Sequence, residues 1–219
     1  MMPLLVVVAV ATAVVLVDSK KESPDLTTKT SDQEFGDEPT QQKTRQTVVP
    51  ADIIDLKNWK LTLPIETQAS GNPDEIKQPE LSDYSNQNFF YPNLNNTGVI
   101  FRANAGGAAT SGSNYSRSEL REMRNNGTER ASWSNMAGSH TMSITQAITS
   151  LPKVKAQVVA GQIHDAKDDV LMIRLENKRL FVEAGGKEIG LLDDKYKLGV
   201  MFKVDITATA QGIRVMYNG

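Results

Sequence analysis

Two short stretches carry the side chains best suited to chemistry. One is Gln162-Ile163-His164, within GQIHD; the other is Arg117-Ser118-Glu119-Leu120-Arg121, within YSRSELREM. The chain has only two histidines, His140 and His164, so a histidine two residues from an amide is informative. If each stretch is a β-strand, alternate side chains share a face. Gln162 and His164 then point one way with Ala156, Val158 and Ala160, and Ile163 points into the core. Tyr115, Arg117, Glu119, Arg121 and Met123 share one face of the other stretch. Ser116, Ser118, Leu120, Glu122 and Arg124 share its opposite face.

Those residue types suit an anionic substrate that gives up a proton. Arginine offers a fixed, forked positive charge that matches a carboxylate. Histidine exchanges a proton near neutrality. Each stretch also has an ordinary explanation. Arg117, Glu119 and Arg121 on an open face are a salt-bridged surface worth a few tenths of a kcal/mol per pair, ~0.5 at most. His164 alone reads as a hydrogen-bonded structural histidine. No strong nucleophile accompanies them, because Ser116 and Ser118 are expected to face away from the groove. The glycine-rich GGAATSGSNY lacks the Gly-Lys-Ser/Thr ending of a phosphate loop. Glu119 is a single carboxylate kept ionised by its arginine neighbours, whereas a glycosidase requires two carboxyl groups across a cleft.

The elements that must position these residues read as strands. GVIFRANA, YSRSELREM, HTMSITQAI, KAQVVAGQIH, VLMIRLEN, RLFVEA, MFKVDITATA and GIRVMYN are short, rich in β-branched and aromatic residues, and bounded by turn formers. Their spacing predicts an all-β fold, an antiparallel β-sandwich of jelly-roll type with a substrate groove on the concave sheet. Gly185-Gly186 and Gln211-Gly212 are expected hairpin turns. Residues 66–95, polar and holding Pro73, Pro79 and Pro92, are expected to be loops with one short helical turn.

The 219 residues, 39% of them apolar, suffice for one domain with a core. A net charge of −2 gives no sign of a nucleic-acid partner. The absence of cysteine removes disulfides and thiolate chemistry, and two histidines do not make a histidine-rich metal site. No cofactor and no metal are expected. Residues 1–17 are uncharged and apolar, which predicts a signal peptide or membrane anchor and a secreted or periplasmic location, with tethering through this segment as the variant. Residues 18–47 hold few large apolar side chains and predict a disordered linker. The domain is expected over 48–219.

YSRSELREM is similar to the Arg-Ser/Thr-Glu-Leu-Arg motif of the alginate lyases of polysaccharide lyase family seven, and Gln162-Ile163-His164 to their Gln-Ile/Val-His motif. WKLTLP at 59–64 and IKQPEL at 76–81 resemble the family's opening segments. The resemblance runs from about Asp52 to the last residue, in the family's order. It implies a jelly roll and cleavage of a uronate polymer, alginate, by β-elimination. The proton on C5 of the +1 sugar leaves, the bond at C4 breaks, and an unsaturated end forms. The resemblance makes Arg117 and Gln162 the groups that neutralise the carboxylate and His164 the general base. It makes Arg121, Glu119 and Tyr115 substrate-side residues, with Glu119 orienting the arginines. Isoleucine at 163 leans towards guluronate-containing or mixed blocks. No protein partner is implied, and a monomer is expected.

One family segment has no counterpart. The family's Tyr-Phe-Lys-Ala-Gly-x-Tyr-x-Gln segment, whose first tyrosine is the general acid, is not found, and the chain stops at VMYNG. Tyr217 does not match it and takes no role. The expectation is a domain incomplete at its C-terminus, with little activity in this chain and a natural product that continues beyond Gly219. The rival from another class is a non-catalytic uronate-binding β-sandwich. A glycoside hydrolase on a similar jelly roll is a second rival, distinguished by reducing ends without unsaturation.

Overall fold

The computed structural model describes residues 5–10, 47–165 and 169–219. Most of the apolar leader and the expected linker lie outside them. Fifteen strands are formed by the described residues, together with two single 3-10 turns at Pro50–Asp52 and Glu80–Ser82. The largest sheet contains β1 (Leu5–Val10), β2 (Trp59–Thr62), β3 (Glu75–Ile76), β6 (Glu119–Arg124), β10 (Gln157–His164), β11 (Asp169–Glu176), β12 (Arg179–Ala184) and β13 (Lys187–Asp193). Its order is β13-β12-β11-β10-β1-β6-β2-β3, and every pair is antiparallel. Two short strands join at its margin: β7 (Glu129–Arg130) pairs β6, and β8 (Trp133–Ser134) pairs β1. A second sheet is β15 (Gly212–Tyr217), β14 (Phe202–Thr209) and β9 (His140–Gln146). A small pair is β4 (Phe90–Pro92) with β5 (Val99–Phe101). This is the expected β-sandwich of jelly-roll type.

Two apolar clusters hold the layers together. One joins Ile144, Val204 and Ile206 of the three-stranded sheet to Ile163, Ile173, Leu175 and Val182 of the large sheet. The other packs Leu61 and Leu120 of the large sheet against Leu56, Leu81, Phe90 and Phe101. Phe90 and Phe101 are directly opposite in their ladder and meet edge to face, with ring centroids 5.0 Å apart. Cross-strand aromatic pairs of this kind add to simple burial.

β9 to β12, β14 and β15 fall where alternation predicts them. The Gly185-Gly186 hairpin is as expected: Ala184 pairs Lys187, and both glycines have positive φ, which side chains resist in a two-residue turn. Four details differ. β6 begins at Glu119, so Tyr115 and Arg117 are carried by the preceding loop rather than by the strand. The second hairpin turns at Ala210-Gln211, with Gly212 opening β15 opposite Thr209. Within 66–95 the helical turn is present at Glu80–Ser82, but β3 and β4 are strands too short to show a period.

The fourth difference is a bulge in β10. Val159 pairs Arg174, and the next rung is Gly161 with Ile173. The extra residue, Ala160, is buried in the first core cluster. Side-chain parity therefore changes along the strand. Gln157, Val158 and Val159 border the groove with Gln162, and Val158 also packs against the first core cluster. Gly161 lets Ile144 pack close, since a Cβ on it would stand 2.6 Å from Ile144 Cδ1 and force that side chain to shift.

β1 is the other surprise. Its backbone lies between β6 and β10, which do not pair with each other. Ala9 is opposite Gln162 on one side and Arg121 on the other. β6 and β10 therefore run in the same direction, with Arg121 and Gln162 on one rung.

Candidate active site

A groove of about 800 Å³ runs along the large sheet. Tyr115, Arg117 and Glu119 line it from the β6 side, Lys153, Lys155, Gln157 and Gln162 from β10 and the segment leading into it, and Asp169, Met172 and Arg174 from β11 beyond. The groove's polar groups come from rungs of the sheet. Lys60, Arg121, Ala9, Gln162, Met172 and Glu183 are successive neighbours across it.

The centre is organised around one oxygen. Gln162 Nε2 donates to Glu119 Oε2 at 2.9 Å, and Arg117 Nη1 stands 3.8 Å from the same atom. Glu119, at the start of β6, thus holds together an amide from β10, a strand that never pairs with its own, and a guanidinium from the loop before it. Gln162 is only 7% exposed, so its orientation is fixed by that contact. Arg117 Nε is buried and has no acceptor among the described residues, and the same holds for Arg121 Nε. Buried donors of this kind are costly unless a partner arrives, and a carboxylate is the natural one. Ser116 and Ser118 were expected to face away from the groove, but both border it, because the loop before β6 does not keep strand alternation; their hydroxyls are occupied, Ser118 donating to the Phe89 carbonyl at 2.9 Å and Ser116 to the Asn104 carbonyl at 2.5 Å.

His164 stands two residues beyond Gln162. Its Nε2 lies 2.7 Å from Asp169 Oδ1 as an ion-pair contact. Asp169 lines the groove; Arg121 shares the rung of Gln162, and His164 is two residues further along the same strand, so both stand on the face of the sheet that carries Gln162. An imidazole whose Nε2 is engaged by a carboxylate presents Nδ1 as its basic nitrogen. Arg121 lies beside Lys60 in register, and burial pushes its pKa down, opposed by Glu119 and Glu75 and helped by Arg130 and Arg117. Burial likewise lowers Lys60, against the Glu75 carboxylate that hydrogen bonds it.

Of the residues expected from sequence, the structure brings Arg117, Glu119 and Gln162 into direct contact and puts Tyr115 at one end of the same groove. Asp169, Arg174, Lys60 and Lys155 were not foreseen. Asp169 opens β11, Arg174 is a lone cation in an apolar strand, and Lys60 and Lys155 are lysines with no flanking pattern. Arg174 donates to Glu183 at 2.8 Å and to Gln157 at 2.6 Å, which fixes the groove floor. Tyr217 takes no part: its hydroxyl is 3.4 Å from Asp193 Oδ2, and its ring lies near Phe202. No group of three potential metal ligands occurs among the described residues.

The alginate lyase family profile matches residues 54–219. The chain belongs to that family. The lyase domain resembles the solved alginate lyase AlgAT5 of polysaccharide lyase family 7, at 52% identity and a TM-score of 0.76, covering 79% of this chain and 78% of that one. It is also similar to the alginate lyase of a Corynebacterium species, at 45% identity and a TM-score of 0.74, covering 78% and 76%. A curated alginate lyase from Klebsiella pneumoniae is 40% identical over 81 residues, which are 36% of this chain and 26% of that protein. The match thus spans about a quarter of that relative's length.

Proposed function

We propose that this domain cleaves alginate by β-elimination, with the centre built on Glu119 as its carboxylate-binding site. The observation that carries this reading is the shared Glu119 oxygen that brings Arg117 and Gln162 together, beside His164 with its Asp169 partner. A proton on the carbon next to a carboxylate is weakly acidic because its loss adds charge to an anion. Preorganised donors on that carboxylate offset the added charge, and they act most strongly where water is excluded. Arg117 and Gln162 are such donors.

His164 is assigned as the base that takes the C5 proton, with Asp169 orienting the ring and stabilising the imidazolium that forms. The electron pair released from the C5–H bond forms the C4–C5 double bond; the C4–O bond breaks with its pair going to the leaving oxygen, which takes a proton from water to become the new hydroxyl end. Arg121, with Lys60 beside it, adds positive potential on the rung of Gln162. Ile163 points into the core, 2% exposed, so any influence on block preference passes through the set of the Gln162 and His164 backbone. We favour guluronate-containing or mixed blocks, a monomeric enzyme, and export directed by the apolar leader. Pairing of Leu5–Val10 in the sheet and removal of that leader on export are alternative fates for the same residues. N-terminal sequencing of the mature protein distinguishes them.

The test is ultraviolet absorbance of the unsaturated uronate on mixing with guluronate-rich and mannuronate-rich alginate. Rising absorbance is expected. Binding without any absorbance change would establish the rival, a non-catalytic uronate-binding module. New reducing ends without unsaturation would establish a hydrolase.

A further inference from the structure

Both walls of the groove continue past the strands that carry the centre. On one side the chain leads back from Glu119 through Arg117 to Tyr115; on the other it leads back from Gln157 to Lys155. β6 and β10 run in the same direction with Arg121 and Gln162 level, so Tyr115 and Lys155 arrive at the same end of the groove. They meet there. The Lys155 ammonium hydrogen bonds the Tyr115 hydroxyl, and its nitrogen is 4.8 Å from the centre of the ring. Gln157, next to this contact, is five residues from Gln162, or about 17 Å at ~3.3 Å per residue of strand. That is more than one sugar unit from the chemistry.

Three properties mark the contact as openable. Both side chains are exposed, Tyr115 at 56%. The acceptor is a neutral phenol, so Lys155 keeps its full charge for a better acceptor. The contact joins two loops and leaves the ladders of β6 and β10 intact when it breaks. A linear polyanion lying along the groove meets this bridge at its exit.

We propose that Lys155 and Tyr115 form a latch over one end of the groove, which opens onto the polymer as Lys155 passes its hydrogen bond from the phenol to a uronate carboxylate. The Tyr115 ring, released, offers an apolar face to the sugar. The latch makes this end a distal binding subsite that rewards chain length. This inference rests on the reading of the groove as an alginate site.

The experiment measures affinity for alginate oligomers of stepwise increasing length by calorimetry, in a His164→Ala background that prevents turnover. Lys155→Ala is compared with Tyr115→Phe and with the parent. Lys155→Ala is expected to weaken binding about three- to fivefold, the worth of one exposed charge pair. The loss should begin only above a threshold length and fade at high salt. Tyr115→Phe, which frees the lysine and keeps the ring, should equal or exceed the parent on long oligomers. An equal loss at every length, or a lowered melting temperature with that loss, would make the contact a structural strap and overturn the latch. An unchanged affinity at every length would overturn it as well. If the parent binds no alginate of any length, the functional reading itself falls, and the latch with it.

Discussion

The middle of the groove and its Tyr115–Lys155 end are built on opposite plans. In the middle, Gln162 is 7% exposed, the Glu119 side chain 12%, and each polar tip touches another. At the end, a lysine and a tyrosine meet in the open, on loops, with one contact between them. The middle costs desolvation to assemble, and it returns that cost only when a developing charge needs fixed donors. The end costs little to assemble and can rearrange. The difference separates chemistry from grip, and it predicts that substitutions in the middle act on kcat while those at the end act on affinity.

His164→Ala provides the hardest test of that separation. It should lower kcat by about 10²- to 10⁴-fold, the usual worth of a positioned base, while leaving affinity for alginate largely intact. A matching loss of affinity would show that the imidazole binds the substrate as much as it reacts. Arg117→Ala comes next. Loss of one donor on the charge-bearing carboxylate should cost about 10²- to 10³-fold in kcat, as measured by the absorbance assay. Because Arg117 shares the Glu119 oxygen with Gln162, Arg117→Ala and Gln162→Ala should be less than additive when combined. Full additivity would mean that the two donors act on different charges.

Ile163→Ala sharpens the comparison from beneath. Ile163 has no polar atom and no place in the groove, yet its burial against the three-stranded sheet sets the strand that carries Gln162 and His164. Its truncation should destabilise the domain by about 2–5 kcal/mol in urea unfolding. Below the unfolding transition, the same change should lower kcat without altering the length dependence of binding at the latch.

How much of this was readable in advance follows the same division. The strands that bury one face announce themselves by alternation, as in His140–Gln146, where buried and exposed residues alternate regularly after His140. β13 does not, because its seven residues are largely exposed and interrupted by Gly190. The Gln162–His164 pair was legible because period two is a property of the chain itself. The bulge at Ala160 was not, since it results from the fit of Gly161 against Ile144 across the core. Lys155 beside Tyr115 is a meeting of loops 40 residues apart, and nothing in either neighbourhood marks it; Asp169 is His164's partner in the β10–β11 ladder, through a register shift that the sequence does not show. Arg117 reached its expected place for a reason other than the expected one: the loop delivers it, and Glu119 holds it. β1 lies within the apolar run read as a leader, and an unbroken apolar run shows no strand period.

The smallest expected effect lies on the far side of β6. Glu122 is half-buried, and desolvation raises its carboxyl pKa, with the Trp133 indole and His140 acting in the opposite sense. Trp133 stacks on His140 with ring centroids 4.1 Å apart, so the carboxyl has little room for water. A carboxyl whose folded pKa lies above its unfolded value binds its proton more tightly in the folded state. Its contribution to stability is therefore complete below the unfolded pKa and is lost as pH rises through the folded one. Near neutrality the folded protein bears the cost of an ionised carboxylate in this place. Glu122→Gln removes that cost while keeping shape and hydrogen-bonding capacity. The variant should melt higher than the parent at neutral pH, and the gap should close as pH falls below the ordinary glutamate range. Activity should be unaffected, because Glu122 faces away from the groove. A gap that stays constant with pH would show that Glu122 is not the titrating group, and a lower melting temperature at neutral pH would show that its charge is used rather than endured.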